Sequence, residues 1–161
     1  MALAPEESYA TLAEATAYHA NSFMGSEWAG IEQVRQEQLL RGATMKMRAF
    51  KWKGTPTDAS QPLAWPRTGA ISPNGADIPD DETPADVKNA CAEFALRLNT
   101  ESYSEDLGIK DLDMRSDGVS VFGPGPERRE VPAEVISMLE NYVDYTEGEG
   151  SLTPRDPRWS Y

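Results

Sequence analysis

Apolar residues recur at helical spacing in four stretches of this chain. From Leu12 to about Asn21, Leu12, Ala15 and Tyr18 share one side, and Thr11 with Glu14 has the spacing of a capping box, so a helix is predicted there. Gly25-Ser26-Glu27 reads as a break before Trp28. A longer helix is predicted over Ile31 to Phe50, where Leu39, Leu40, Ala43, Met47 and Phe50 line one face. Gly42 weakens that helix by about 1 kcal/mol relative to alanine, and close approach of a neighbouring helix is one reason to keep it. The third helix has Thr83 as cap, Pro84 at the first helical position and Asp86 at the capping-box acid, followed by the stripe Val87, Ala90, Cys91, Phe94, Ala95 and Leu98. A fourth runs from about Pro132 to Tyr145, with Val135, Ile136, Leu139, Tyr142 and Val143 on one side.

Between these stretches the pattern changes. Lys51 to Asp81 carries Gly54, Pro56, Pro62, Pro66, Gly69, Pro73, Gly75 and Pro79, a spacing no helix survives. Trp52, Leu63 and Trp65 predict that this long loop is tied down onto the core. Around Asp117-Gly118, Leu112 and Met114 on one side and Val119 and Val121 on the other alternate with polar residues. That is a β-hairpin over about 109–122, which needs the helices or a neighbouring subunit to be stable. Gly123-Pro-Gly-Pro126 ends it. Residues 146–161 form an extended tail that carries Arg155, Arg158, Trp159 and Tyr161, residue types enriched at binding hot spots.

The fold expected is mainly α: a four-helix bundle-like domain over 1–145 with a projecting β-hairpin, a long Pro/Gly-rich loop and an extended C-terminal tail over 146–161. At 161 residues one domain can bury a core without staples. The first residues lack the basic and apolar regions of a signal peptide, and no apolar run reaches membrane-spanning length, so the chain reads as soluble.

The net charge of −12 argues against non-specific nucleic-acid binding, which relies on cations neutralising phosphates. The charge is unevenly placed, however. Arg35, Arg41, Lys46, Arg48, Lys51, Lys53 and Arg67 face only Glu37 and Asp58 between residues 35 and 67, whereas acids dominate from Ser104 to Gly150. Either the acids form a solvated surface, or basic and acidic faces meet in a head-to-tail ring.

Catalytic chemistry has little to build on. His19 is the only histidine and Cys91 the only cysteine, and Cys91 lies in an apolar stripe as a core residue would. No nucleophile elbow, P-loop or dinucleotide fingerprint is present. Asp77, Asp80, Asp81 and Glu82 lack calcium-loop spacing and read as acids at a helix N-terminus. No cofactor, metal site or catalytic residue is assigned. Phe50-Lys-Trp-Lys53 and Trp65-Pro-Arg67 have the composition to stack single-stranded bases, but Trp52, Trp65 and Arg67 read better as loop anchors.

Tyr9-Ala-Thr-Leu-Ala-Glu-Ala-Thr-Ala-Tyr-His19, Trp52-Lys-Gly-Thr-Pro-Thr-Asp58, Gln61-Pro-Leu-Ala-Trp-Pro-Arg-Thr-Gly69, Ile78-Pro79 and Val87-Lys-Asn-Ala-Cys-Ala-Glu-Phe-Ala-Leu96 resemble a phage protein family. Its members are often labelled DnaT-like single-stranded-DNA-binding, and it looks related to head-tail connector adaptors. The resemblance covers about Tyr9 to Phe122. It implies a non-enzymatic adaptor in a dodecameric ring of the virion head-tail junction, made in the host cytoplasm and surrounding genomic DNA as channel cargo. Its expected partners are the portal protein, a tail or nozzle protein and further copies of itself, with no membrane. The tail residues Arg155, Arg158, Trp159 and Tyr161 are expected to dock on the portal, and Leu112, Met114, Val119 and Val121 to contact neighbouring subunits. The alternative is a single-stranded-DNA-binding replication accessory protein, whose affinity would fall steeply with salt and depend on Trp52 or Trp65.

Overall fold

The computed structural model describes residues 7–100 and 131–144; the hairpin expected over 109–122 and the tail expected over 146–161 lie outside the described residues. Within them the chain is mainly helical. In order come α1 (Leu12–Ala20), α2 (Gly25–Ala29), α3 (Gln33–Met47), the two-residue strands β1 (Thr55–Pro56) and β2 (Arg67–Thr68), α4 (Ala85–Thr100) and α5 (Ala133–Leu139). Four helices pack together: α1, α3 and α5 each lie against α4.

Helix α4 is central because its sequence is apolar around most of its circumference. Every residue from Ala90 to Leu96 is buried, Glu93 among them. Ala90, Ala92 and Ala95 let the surrounding helices come close, and Phe94 and Leu96 fill the space between them. Burying a side chain as large as that of Phe94 stabilises the fold by about 1.5–3 kcal/mol. Helix α3 packs Leu39, Leu40, Ala43 and Met47 inward, as the helical spacing predicts. Helix α1 starts where the sequence places it: the Thr11 hydroxyl accepts from the Glu14 N–H at 3.2 Å, and the Glu14 carboxylate accepts from the Thr11 N–H at 2.8 Å. Lys88 Nζ on α4 meets the same carboxylate at 2.8 Å and fastens the two helices together.

Four local expectations change. Gly25-Ser26-Glu27 is not a break but the start of α2, held because Trp28 is fully buried and stacks on His19 at 4.7 Å. Asp86 does not close a capping box; its carboxylate accepts instead from the Tyr142 hydroxyl at 2.7 Å. Helix α5 ends at Leu139, well before Tyr145, because the following backbone pairs elsewhere. The Lys53 N–H donates to the Tyr142 carbonyl at 2.9 Å, the Asp144 N–H to the Lys51 carbonyl at 2.7 Å, and Trp52 bridges Val143. Ile136 is 41% exposed, outside the stripe that buries Val135 and Leu139.

The proline-rich segment wraps this bundle. Strands β1 and β2 pair antiparallel, Thr55 with Thr68 and Pro56 with Arg67, and the Trp65–Pro66 peptide is cis. Gly54 turns the chain into β1 at φ +74°, where a Cβ would sit 2.6 Å from the Thr68 carbonyl oxygen. Only glycine satisfies both conditions.

Candidate docking surfaces

Trp52 and Trp65 are buried and touch each other edge to face at 5.9 Å. Tyr9 packs against Trp52 from the N-terminal side, Phe50 from the end of α3, and Tyr142 against Trp65. The cluster therefore joins the loop to α3 and to the segment after α5. The Trp52 indole donates to the Met47 carbonyl at 3.2 Å. Among the described residues the buried Trp65 indole nitrogen has no hydrogen-bond partner.

Arg67 completes this assembly from within. Its guanidinium donates to the carbonyls of Lys53 (2.8 Å), Gly54 (2.7 Å) and Ala64 (3.0 Å), with a longer bond to Trp52 (3.4 Å). Arg67 is 8% exposed. Its five-donor fork suits convergent carbonyls, and here it holds both arms of the loop. Trp52, Trp65 and Arg67 are thus brought together, but facing the interior. The other expected site residues, Leu112, Met114, Val119 and Val121 in the hairpin and Arg155, Arg158, Trp159 and Tyr161 in the tail, lie outside the described residues.

A second polar cluster is internal too. Ser8, Tyr9 and Ala10 lie over α3 and α4, and the Thr44 hydroxyl receives the Tyr9 N–H at 3.3 Å and donates to Ser8 Oγ at 3.2 Å. Cys91 Sγ is 3.4 Å from Thr44 Oγ1 and 3.7 Å from Ser8 Oγ. Burial pushes its thiol above the usual value, and these donors oppose the shift only in part. Burial likewise raises the Tyr9 phenol to about 12.

The outward surfaces differ in sign. On α3, each residue advances about 100° around the axis, so Val34 and Met45, eleven positions apart, fall on one line. They are 56% and 69% exposed. Arg41 and Arg48 lie on one side of this line, and Arg35 and Lys46 on the other. No carboxylate of α3 lies on this face, since Glu37 is buried. Glu7 reaches Arg41 from the N-terminal segment at 2.9 Å, and Arg48 Nη2 donates to the Pro62 carbonyl at 2.6 Å. Sequence reading followed the buried stripe and missed this outer one. The signal was present in the spacing of Val34 and Met45.

Elsewhere the loop before α4 forms an open cleft of about 450 Å³. Ile78, Pro79 and Pro84 give it apolar walls, and Asp77, Glu82 and Asp86 ring it with carboxylates. Asp80 and Asp81 are exposed beside it. Phe23, at the turn between α1 and α2, is fully exposed.

Among the described residues, no group of three histidine, cysteine or acidic side chains is placed to hold a metal ion, and no helix is long and apolar enough to cross a membrane. Comparison with curated proteins and with solved structures finds no match. Residues 2–119, most of the chain, match the family described as "Putative DnaT-like ssDNA binding protein", and the chain belongs to that family.

Proposed function

We propose that this chain is a structural docking subunit, in concrete form an adaptor of a phage head-tail connector ring that bridges portal and tail around the DNA channel. The observation that carries the reading is an inversion of where aromatic and apolar groups lie. Trp52, Trp65 and Arg67, the residues suited to stack and hold single-stranded bases, are built into the fold. Phe23, Val34 and Met45 project outward instead. A base-stacking platform needs accessible rings, whereas exposed apolar side chains beside charges suit a protein partner. The net charge of −12 supports this, because weak repulsion in a channel lets DNA slide without sticking.

Single-stranded DNA binding is the second reading, and the family's description favours it. On this chain it would have to use the cations from Arg35 to Lys53, which track phosphates without requiring a buried ring to turn outward.

Two measurements together decide between the readings. Quantitative mass spectrometry of purified virions gives the copy number of this chain relative to the portal protein. Titration of a fluorescent oligothymidylate at several salt concentrations gives its DNA affinity. The adaptor reading expects stoichiometric presence in virions and no salt-steep binding. Absence from virions, together with tight binding that collapses with salt, overturns it in favour of the replication accessory.

A further inference from the structure

We infer that Asn74, in an exposed turn lining the cleft, is a self-modifying site: its side-chain amide becomes a carboxylate through a cyclic imide formed with Gly75. The conversion consumes water and needs no enzyme, metal or partner.

The turn is small and its bonds are local. The Ser72 N–H donates to the Ala76 carbonyl at 2.8 Å, the Gly75 N–H to the Ser72 carbonyl at 2.9 Å, and the Ala76 N–H to Ser72 Oγ at 3.1 Å. A bridge between Ile71 and Asp77 closes it. Residues 73–77 are all exposed. The Ser72 hydroxyl has one proton and two acceptors in reach, Asn74 Oδ1 and the Ala76 carbonyl.

The chemistry follows from these neighbours. The Gly75 backbone nitrogen attacks the side-chain carbonyl carbon of Asn74, and a C–N bond forms. Negative charge develops on Oδ1, where the Ser72 hydroxyl donates. The side-chain nitrogen takes up a proton, its bond to that carbon breaks, and ammonia leaves. Water then opens the imide at one carbonyl or the other, giving aspartate or isoaspartate. No electrons are exchanged: one water enters and one ammonia departs. Because both reacting groups sit on adjacent residues, the step is intramolecular. Glycine leaves the attacking nitrogen uncrowded, and a Cβ at Gly75 would meet nothing within 4 Å. The Gly75 N–H bond must open first, and in so exposed a turn that opening is local.

The other asparagines are each held, and none precedes a glycine. Asn89 and Asn99 lie within α4. Asn141 precedes the buried Tyr142, whose N–H donates to the Leu139 carbonyl at 2.9 Å. Asn21 caps α1, and its amide donates to the Ala17 carbonyl at 3.0 Å. Asn74 shares the cleft lining with Asp77, Glu82 and Asp86, so its conversion adds a carboxylate to a wall already acidic. Isoaspartate also lengthens the backbone within the turn and breaks its hydrogen-bond register.

The test incubates the purified full-length chain at neutral and at mildly alkaline pH, followed by trypsin digestion and peptide mass spectrometry. A sample digested before incubation gives the baseline. Trypsin releases Thr68–Lys88, which contains Asn74 and no other asparagine. This peptide is expected to gain the acid mass in two separable isomers, and faster at the higher pH. Its rate should exceed that at the other asparagines by roughly tenfold or more, since those require helix or core opening first. The intact protein should shift to a more acidic species on ion exchange. Asn74→Gln, whose longer side chain closes the ring far more slowly, should remove both changes. A synthetic Thr68–Lys88 peptide supplies the rate for the chain outside the fold. Asn74 that stays intact in the protein while the peptide converts overturns the inference, because the turn then protects it. Conversion to aspartate without isoaspartate overturns the cyclic route. An Asn74→Gln protein that still becomes more acidic at the wild-type rate places the reaction elsewhere and overturns it as well.

Discussion

Arg67 Nη2 donates to the Gly54 carbonyl at 2.7 Å, across the mouth of a loop whose arms pair as strands at only two positions. Gly54 holds this position at φ +74°, a backbone conformation that glycine adopts without strain. The two residues form one device, one supplying donors and the other the backbone path.

Replacing Arg67 with methionine is therefore expected to lower stability by roughly 3 kcal/mol, since it strands several carbonyls that now share one guanidinium. Arg67→Lys should recover only part of the loss, because one ammonium cannot span carbonyls on both arms. Gly54→Ala should also be destabilising, with its Cβ driven into the Thr68 carbonyl. Urea midpoints of the three variants check this; an Arg67→Met protein as stable as wild type refutes it.

Gly42 behaves oppositely. A Cβ there would lie 3.6 Å from Leu98 Cδ1, an ordinary contact, so no close helix approach requires glycine. Gly42→Ala is expected to stabilise the protein by about 0.5–1 kcal/mol through helix propensity and loss of unfolded-state freedom. A rise in melting temperature is the readout.

Acid should weaken the fold through His19 before the carboxylates matter. The ring is buried against Trp28, and its Nε2–H donates to the Ala92 carbonyl at 3.0 Å. Burial lowers its pKa below the ordinary 6.5, although the Ala92 carbonyl and the charge of Glu93 partly oppose the shift. The unfolded chain thus takes up a proton more readily than the folded one. Stability is complete above 6.5 and declines as pH falls from there toward the folded value, by at most about 1.4 kcal/mol per pH unit. Glu14 acts in a lower window. Burial raises its pKa, but the bonds from Lys88 and Thr11 outweigh that and leave it below 4.5, so its contribution is lost only under more acidic conditions. Urea midpoints between about pH 7.5 and pH 5 should show a slope that His19→Gln flattens.

How much of this was legible depended on how far each signal reached along the chain. The α1 cap was legible because Thr11 and Glu14 are three residues apart and satisfy each other locally. The buried stripes of α3 and α4 were legible because helical spacing records burial directly. Asp86 misled because its partner, Tyr142, lies 56 residues away, and a capping motif carries no trace of it. The end of α5 was misplaced for a similar reason: Tyr142 and Asp144 give their backbone groups to Lys53 and Lys51. At the candidate site, composition indicated that Trp52 and Trp65 tie the loop down. The convergence of carbonyls on Arg67 was invisible, since it requires the path through Gly54 to be known first.

The Tyr142–Asp86 bond ties the segment after α5 to the first turn of α4 and forms part of the cleft wall. Tyr142 is buried, whereas Asp86 is half-exposed and keeps access to water. Burial first, and the neighbouring carboxylate second, hold the Tyr142 phenol well above its ordinary value, so the hydroxyl remains a donor throughout the working range. Tyr142→Phe removes the donor and leaves a carboxylate that solvent still satisfies, so the expected loss is only about 1 kcal/mol. Asp86→Asn keeps an acceptor oxygen but removes the charge that strengthens the bond. In a double-mutant cycle the pair should show a coupling of about 1–2 kcal/mol, read from urea midpoints of the four proteins. Strict additivity would mean that the bond does not hold the cleft wall in solution.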